Sequence, residues 1–464
     1  MFKATHGGLT ALALAGLLVG ASLVGSANAP AQDRPLNVLL MVIDDTRWDA
    51  IRAAGNTVVQ TPSLDRLAAE GIRFENAFVT TSICMVSRAS ILTGQYMSRH
   101  RISAFSTAIT ADAWKATYPA VLREAGYWTG FVGKYGVGTA RAVDFDFLRS
   151  YETRHWFTEP DGERVHVTEK NARDALEFLR TRPTGRPFAL SVSFFAAHAE
   201  DAAPEQYLPQ PWSAAAYDGV TMPPPLRGDA AYLEALPSFI RQPSNEGRIR
   251  FNWRFDTPAR YQDYLTRYYR MITEVDQVVG RLLDELDTQG VADDTLVLFI
   301  GDNGYFQADR GLADKWYPYE ESIRVPLIVR DPRLPASRRG RVPTVTALNI
   351  DVAPTIVAAA RRPIPSVMQG VDLAGLYQDD TPDPVRDEFF YEHPTITSRD
   401  RIPSSLAVVR RDWKYTSSPE FEYEQLFNLT TDPGELVNLA ADPAQTGRRQ
   451  DFRNRLAAWQ ARAR

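Results

Sequence analysis

The sequence predicts an α/β layered fold, and three observations predict it. Apolar runs long enough for strands buried on both faces recur along the chain, at Leu36 to Ile43, Trp128 to Val132, Phe188 to Phe195, Thr295 to Ile300 and Val325 to Val329. Helical patterns lie between them. The clearest, Tyr261 to Asp287, repeats Leu265, Tyr268, Ile272, Val275, Val279, Leu282 and Leu286 at spacings of three or four, with Gly290 as a stop signal. Strands alternating with helices define the class.

Taken in order, the chain opens with Lys3, an apolar run from Leu9 to Val24, and Ala27-Asn28-Ala29 before Pro30. Basic, hydrophobic and small-x-small segments in that order read as a cleaved signal over residues 1–29. The expected product is periplasmic or secreted, with 464 − 29 = 435 residues. The run is short and interrupted by glycine, whereas a span needs roughly 20 apolar residues, so no stable membrane anchor is expected. No cysteine follows the run before Cys84, which removes the usual lipid attachment site.

Residues 34–378 are expected to form the catalytic domain, with 44% hydrophobic residues in the chain as a whole to build a core. The stretch Asp201 to Pro258 breaks the rhythm with repeated prolines and reads as an irregular surface excursion. A polar, proline-containing stretch from Asp379 to Pro384 marks a boundary. Beyond it, Phe389 to Tyr391, Ser405 to Arg410 and Trp413 to Thr416 read as short strands and Gln450 to Arg464 as a terminal helix. Residues 379–464 are thus expected to form a small C-terminal α+β subdomain with an antiparallel sheet. A net charge of −5 argues against nucleic acid as a partner, since a phosphate backbone calls for a basic face.

Two polar pairs, Asp44-Asp45 and Asp302-Asn303, follow buried strand runs. Ligands collect beyond the carboxyl ends of strands in open α/β sheets, so both pairs can face one site. Their all-oxygen donor set suits calcium or magnesium rather than zinc. Only six histidines occur, none in a paired zinc-type spacing.

Cys84, the single cysteine, cannot form an internal disulfide, and it opens Cys84-Met85-Val86-Ser87-Arg88-Ala89-Ser90-Ile91-Leu92-Thr93-Gly94. A buried apolar thiol is the alternative to a chemical role. The stretch resembles the C-x-P-S-R-x-x-x-L-T-G signature of the arylsulfatase-type sulfatases, with Val86 where the pattern has proline. Gly133-Lys134-Tyr135-Gly136 resembles the family's G-K-W-H, with Gly136 in place of histidine. His198 and Lys315 stand in the family order, and Lys315 precedes Tyr319-Glu320-Glu321-Ser322-Ile323-Arg324-Val325-Pro326, similar to the family's Y-E-E-S-x-R-V-P. Asn349 to Thr355 and Leu426 to Glu435 extend the resemblance to the fold.

The resemblance implies an alkaline-phosphatase-like architecture, a large mixed, mostly parallel sheet sandwiched by helices. It implies one calcium ion held by Asp44, Asp45, Asp302, Asn303 and the modified residue 84. It further implies that Cys84 is oxidised to formylglycine, which makes a formylglycine-generating enzyme a partner during maturation. Arg88, Lys134, His198 and Lys315 are the expected sulfate-binding and proton-transfer residues around that nucleophile, and a sulfated carbohydrate is the expected substrate. The competing readings are a phosphodiester or phosphonate-ester hydrolase on the same scaffold and a non-catalytic binder of sulfated glycans. Trp212, Arg248, Arg250, Trp253 and Arg254 in the excursion either suit recognition of a polyanionic sugar or only pack the loop and decorate a solvated face.

Overall fold

A computed structural model describes residues 34–151, 153–378 and 386–463. The expected signal segment and the boundary at 379–384 lie outside the described residues, among which no helix is long and apolar enough to cross a membrane.

The strands are β1 (Asn37–Ile43), β2 (Ile72–Arg73), β3 (Trp128–Gly133), β4 (Phe147–Ser150), β5 (Phe188–Ser193), β6 (Thr295–Gly301) and β7 (Leu327–Arg330). They form one sheet in the order β2-β7-β6-β1-β5-β3-β4. The pairs β1 with β5, β1 with β6, β3 with β5 and β3 with β4 are parallel. β7 runs antiparallel to both neighbours, which makes the sheet mixed.

Alternation along β1 explains why every expected strand reads as continuously apolar. Val38, Leu40 and Val42 enter one core and Leu39, Met41 and Ile43 the other, so neither face meets water. The second core receives Leu265, Ile272, Val275, Val279, Leu282 and Leu286 from the long helix Pro258–Thr288, which is the expected helix extended at both ends. Pro258 at its first turn and Gly290 beyond its end bound it.

The excursion is more ordered than its prolines imply. It contains the helices Ala230–Glu234, Ser238–Arg241 and Glu246–Arg254, the last capped by the Asn245 side chain accepting from Gly247 N. Past the boundary, β8 (Glu388–His393), β9 (Ser405–Arg410), β10 (Trp413–Ser418) and β11 (Tyr423–Asn428) form an antiparallel sheet in sequence order. β11 was not expected, because its polar Glu424, Gln425 and Asn428 hide the apolar pair Leu426 and Phe427. The helix Thr446–Ala463 closes the subdomain, with Trp459 stacked on Phe390.

Candidate active site

The carboxyl ends of β1, β3, β5 and β6 lie side by side, and each delivers part of one site. β1 runs into Asp44-Asp45 and β6 into Asp302-Asn303, all four fully buried. Asp45 adopts a left-handed φ of 47°, a turn that aspartate tolerates better than most residues. β3 ends at Gly133, whose φ is +103°. A Cβ there would stand 2.0 Å from Ser193 O of β5, so only glycine lets the two strands close up before Lys134.

The Cys84 stretch forms the buried helix Cys84–Thr93, with Cys84 as its first residue. Several signature residues are architectural. Ser87 Oγ accepts from Asn349 Nδ2 at 2.9 Å, and Gly94 ends the helix in the left-handed region. Asn349 Oδ1 in turn accepts from Thr80 N at 3.1 Å, and Asp351 receives Arg386 through two bonds of 2.7 Å.

Arg88, one turn into the helix, reaches back across the strand ends. Its Nε donates to Asp302 Oδ2 and its Nη1 to Lys134 O, both at 2.7 Å, and Nη1 also bonds Ser193 Oγ. Asp302 Oδ1 accepts from Asp45 N at 3.3 Å. Lys134 Nζ donates to Asp44 Oδ2 and Lys315 Nζ to Asp45 Oδ1. Lys315 also lies 3.3 Å from Cys84 Sγ, and Asp44 Oδ1 lies 3.4 Å from the same sulfur. Residues on either side of Lys315, Asp314 (φ 65°) and Trp316 (φ 85°), are both left-handed, so the backbone turns sharply to point this lysine inward.

His198 is partly exposed, with Nε2 3.5 Å from Asp45 Oδ2 and Nδ1 2.6 Å from Ala199 O. With Nδ1 donating to that carbonyl, Nε2 is the nitrogen left facing the site. Ligand atoms of Asp44, Asp45, Cys84 and His198 all fall within 4.8 Å of one another. The structure thus brings together the nine residues the sequence nominated for metal and chemistry: Asp44, Asp45, Cys84, Arg88, Lys134, His198, Asp302, Asn303 and Lys315.

Three carboxylates and three cations share this small volume, and its electrostatics follow from burial and pairing. Burial alone would raise the Asp44 carboxyl, but Lys134, Arg88 and Lys315 outweigh it and hold Asp44 below the usual carboxylate range. Burial, with repulsion from Asp44, raises both Asp45 and Asp302. Burial pushes the Cys84 thiol up to about 12, so the unmodified side chain is a protonated thiol at neutral pH. His198 is pushed down to about 3 by burial and the two lysines, and is therefore neutral.

The donor set fits a hard cation. Asn303 spends its amide nitrogen on Asp45 Oδ1 at 2.6 Å and Gly304 O at 2.9 Å, which leaves Asn303 Oδ1 as a buried acceptor without a partner. Asp45 Oδ2 is a second buried oxygen in that condition. Unpartnered buried oxygens are costly, and a divalent cation bound there would satisfy them.

Above these groups opens a cavity of about 1050 Å³ lined by Cys84, Lys134, His198 and Lys315 together with residues of the excursion and the C-terminal subdomain. Gly136 also lines it; at φ +72°, a Cβ there would stand 2.9 Å from Arg88 Cδ, so the histidine of the family pattern does not fit beside this arginine placement.

The excursion corrects one expectation. Arg254 is fully buried and donates to Gln206, Tyr305, Asp314 and Asp201, so it binds the fold rather than a sugar. Arg248 bonds Gly311 O and lies on a different groove. Trp212 is exposed but does not line the cavity, whereas Arg250 does, with its charge answered by Glu246, Asp201 and Asp314. Sequence reasoning missed Ser193, Asp314, Arg154, Trp316 and Arg401, whose local sequences carry no signal because their placement is tertiary.

Fold and site together define a hydrolase of the alkaline-phosphatase fold. The family described as Sulfatase matches residues 36–361, and the one described as N-sulphoglucosamine sulphohydrolase, C-terminal, matches residues 308–462. The chain belongs to the sulfatase family and is a sulfuric ester hydrolase. It is 26% identical to the N-acetylglucosamine-6-O-sulfatase of Bacteroides thetaiotaomicron, over 91% of this chain and 86% of that one. A structure solved with its substrate D-glucosamine-2-N,6-O-disulfate superposes with a TM-score of 0.79 at 23% identity, covering 93% of this chain and 98% of the other. The phosphonate monoester hydrolase of Agrobacterium radiobacter has the same fold, with a TM-score of 0.78 at 22% identity over 92% and 96% of the two chains.

Proposed function

We propose that this protein is an exported sulfatase that hydrolyses sulfate esters of a sulfated sugar, with calcium and a formylglycine derived from Cys84. The observation that carries the reading is the position of Cys84, in the wall of the cavity between Asp44 and Lys315 and beside the oxygen set of Asp45 and Asn303.

Asp44, Asp45, Asp302 and Asn303, with the modified residue 84, would hold the calcium. In their active forms the modified residue supplies one hydroxyl as nucleophile toward sulfur and a second to expel sulfate, while calcium supplies charge against the sulfate oxygens. The rest falls to the chain's own residues. Asp44, Asp45 and Asp302 are matched by Arg88, Lys134 and Lys315, so a bound dication leaves the site net positive and attractive to an ester anion. Lys134 and Lys315 line the cavity, where their ammonium groups, bonded to Asp44 and Asp45, would also face the sulfate oxygens, and Arg88 holds Asp302 and the Lys134 backbone in place. As the bond from sulfur to the sugar oxygen breaks, that oxygen needs a proton. Lys315 carries one beside residue 84, and His198 presents its Nε2 on the same wall to orient the leaving group.

The test is mass analysis of the Cys84 peptide from protein matured in an exporting host, with sulfate release measured on defined sulfated sugars and a phosphonate ester. Formylglycine at 84, sulfate release, and its loss in Cys84→Ala without loss of folding are expected. Sulfate release by Cys84→Ala would overturn the reading, as would preferential turnover of the phosphonate ester.

A further inference from the structure

The walls of the cavity carry three arginines, and their charge balance separates them. Arg250 is answered by Glu246, Asp201 and Asp314, and it stands over the rings of Trp253 and Trp316 at 5.6 and 5.7 Å. Arg401, from the segment between β8 and β9, is paired with Glu246. Arg154, in the loop after β4, is exposed and has no carboxylate partner among the described residues; its guanidinium rests 5.7 Å from the ring centroid of Phe157.

Exposure alone says little about an arginine, but the backbone here is anchored. The next residue, His155, is fully buried, donates its backbone N–H to Glu200 Oε2 at 2.7 Å, and places Nε2 3.0 Å from His198 O. Its ring stacks on His166 at 5.8 Å and packs against Phe195 at 5.1 Å. Burial lowers His155 to about 4, so it is neutral and offers no competing charge. The backbone that carries Arg154 is therefore held against the His198 wall of the cavity, and its guanidinium, without a carboxylate partner among the described residues, can offer its donor fork to an anion.

We propose that Arg154 is a specificity-determining residue that binds a second anionic group, a carboxylate or another sulfate, on the sugar whose ester is cleaved. This rests on the sulfatase reading and names the substrate class more narrowly. The geometry excludes Arg250 and Arg401 from that role, because an incoming anion would have to displace carboxylates already in place, at the cost of leaving them unpaired.

The probes are D-glucosamine-2-N,6-O-disulfate and glucosamine 6-sulfate, which share an ester and differ by one remote anion. Arg154→Gln should lower kcat/KM on the disulfate at least about tenfold, mainly through KM, and leave the monosulfate within about twofold, because the lost contact is uniform binding remote from the reacting centre. Arg154→Lys should recover only part, since an ammonium cannot make the paired contact. Equal losses on both sugars, or on neither, overturn the proposal. Calorimetric binding in a Cys84→Ala background separates this from the function itself. Preference for the disulfate that disappears with Arg154→Gln upholds the subsite even if the parent protein releases no sulfate, a result that would overturn the hydrolase reading instead. Binding unchanged by Arg154→Gln, including no binding of either sugar, overturns the subsite.

Discussion

Lys315 Nζ lies 3.3 Å from Cys84 Sγ while bonding Asp45 Oδ1, so one ammonium touches both the residue proposed as nucleophile and a carboxylate of the proposed metal site. Its pKa is a balance: burial alone would lower it, but Asp45, Asp44 and Asp314 outweigh burial and raise it well above the usual lysine range. If this group protonates the departing oxygen, Lys315→Met should lose kcat by about 10²- to 10⁴-fold on a sugar sulfate and far less on a nitrophenyl sulfate, whose leaving group needs no proton. Equal losses on the two would assign Lys315 to sulfate binding alone.

Metal dependence should appear as stability. Calcium at 100 times its Kd raises stability by about 2.7 kcal/mol, so chelation should lower Tm and abolish activity, and calcium should restore both better than zinc. Asp302→Asn keeps shape and removes one of three buried carboxylates, the one whose pKa burial and repulsion from Asp44 raise to about 7. Its Tm in chelator should equal or exceed that of the parent, while the calcium increment shrinks. Thermal scans with and without calcium decide this, and an undiminished increment would remove Asp302 from the site.

Arg254→Met should be among the most destabilising single changes in the excursion. It leaves buried Asp314 with Arg250 as its remaining cation, and breaking such a buried pair costs roughly 3–5 kcal/mol. Denaturant unfolding measures it, and residual activity should fall alike on small and large substrates, unlike that of Arg154→Gln.

Glu274 gives the fold a pH slope away from the site. Burial, only partly offset by bonds from Ser213 and Gln210, pushes its carboxyl up to about 7 from an ordinary 4.5. The folded state therefore holds this proton more tightly than the unfolded state. Its contribution is fully present below about pH 4.5 and is lost as pH rises toward 7, by up to about 3 kcal/mol. Glu274→Gln keeps an acceptor for Ser213 Oγ and Gln210 N and should flatten stability between those pH values. An unchanged slope in urea titrations would place the proton elsewhere.

The sequence by itself determined the long buried strands and the long helix, and it nominated the nine candidate residues, the acidic pairs from their place after those strands and the others from family motifs. A strand buried on both faces must be apolar throughout, as β1 is, and the acidic pairs must follow the strands that aim them. What only the tertiary structure decided is which charges remain available. Arg250 and Arg254 lie one helical turn apart with similar neighbours, yet one reaches the cavity and the other is sealed between Asp201 and Asp314, far away in sequence. Arg154 carries no motif, and it stands out only once every carboxylate near its fellow arginines has been placed. The physical reason is that burial and pairing are properties of what packs against a side chain, and for a surface excursion the chain's local order does not say what that will be.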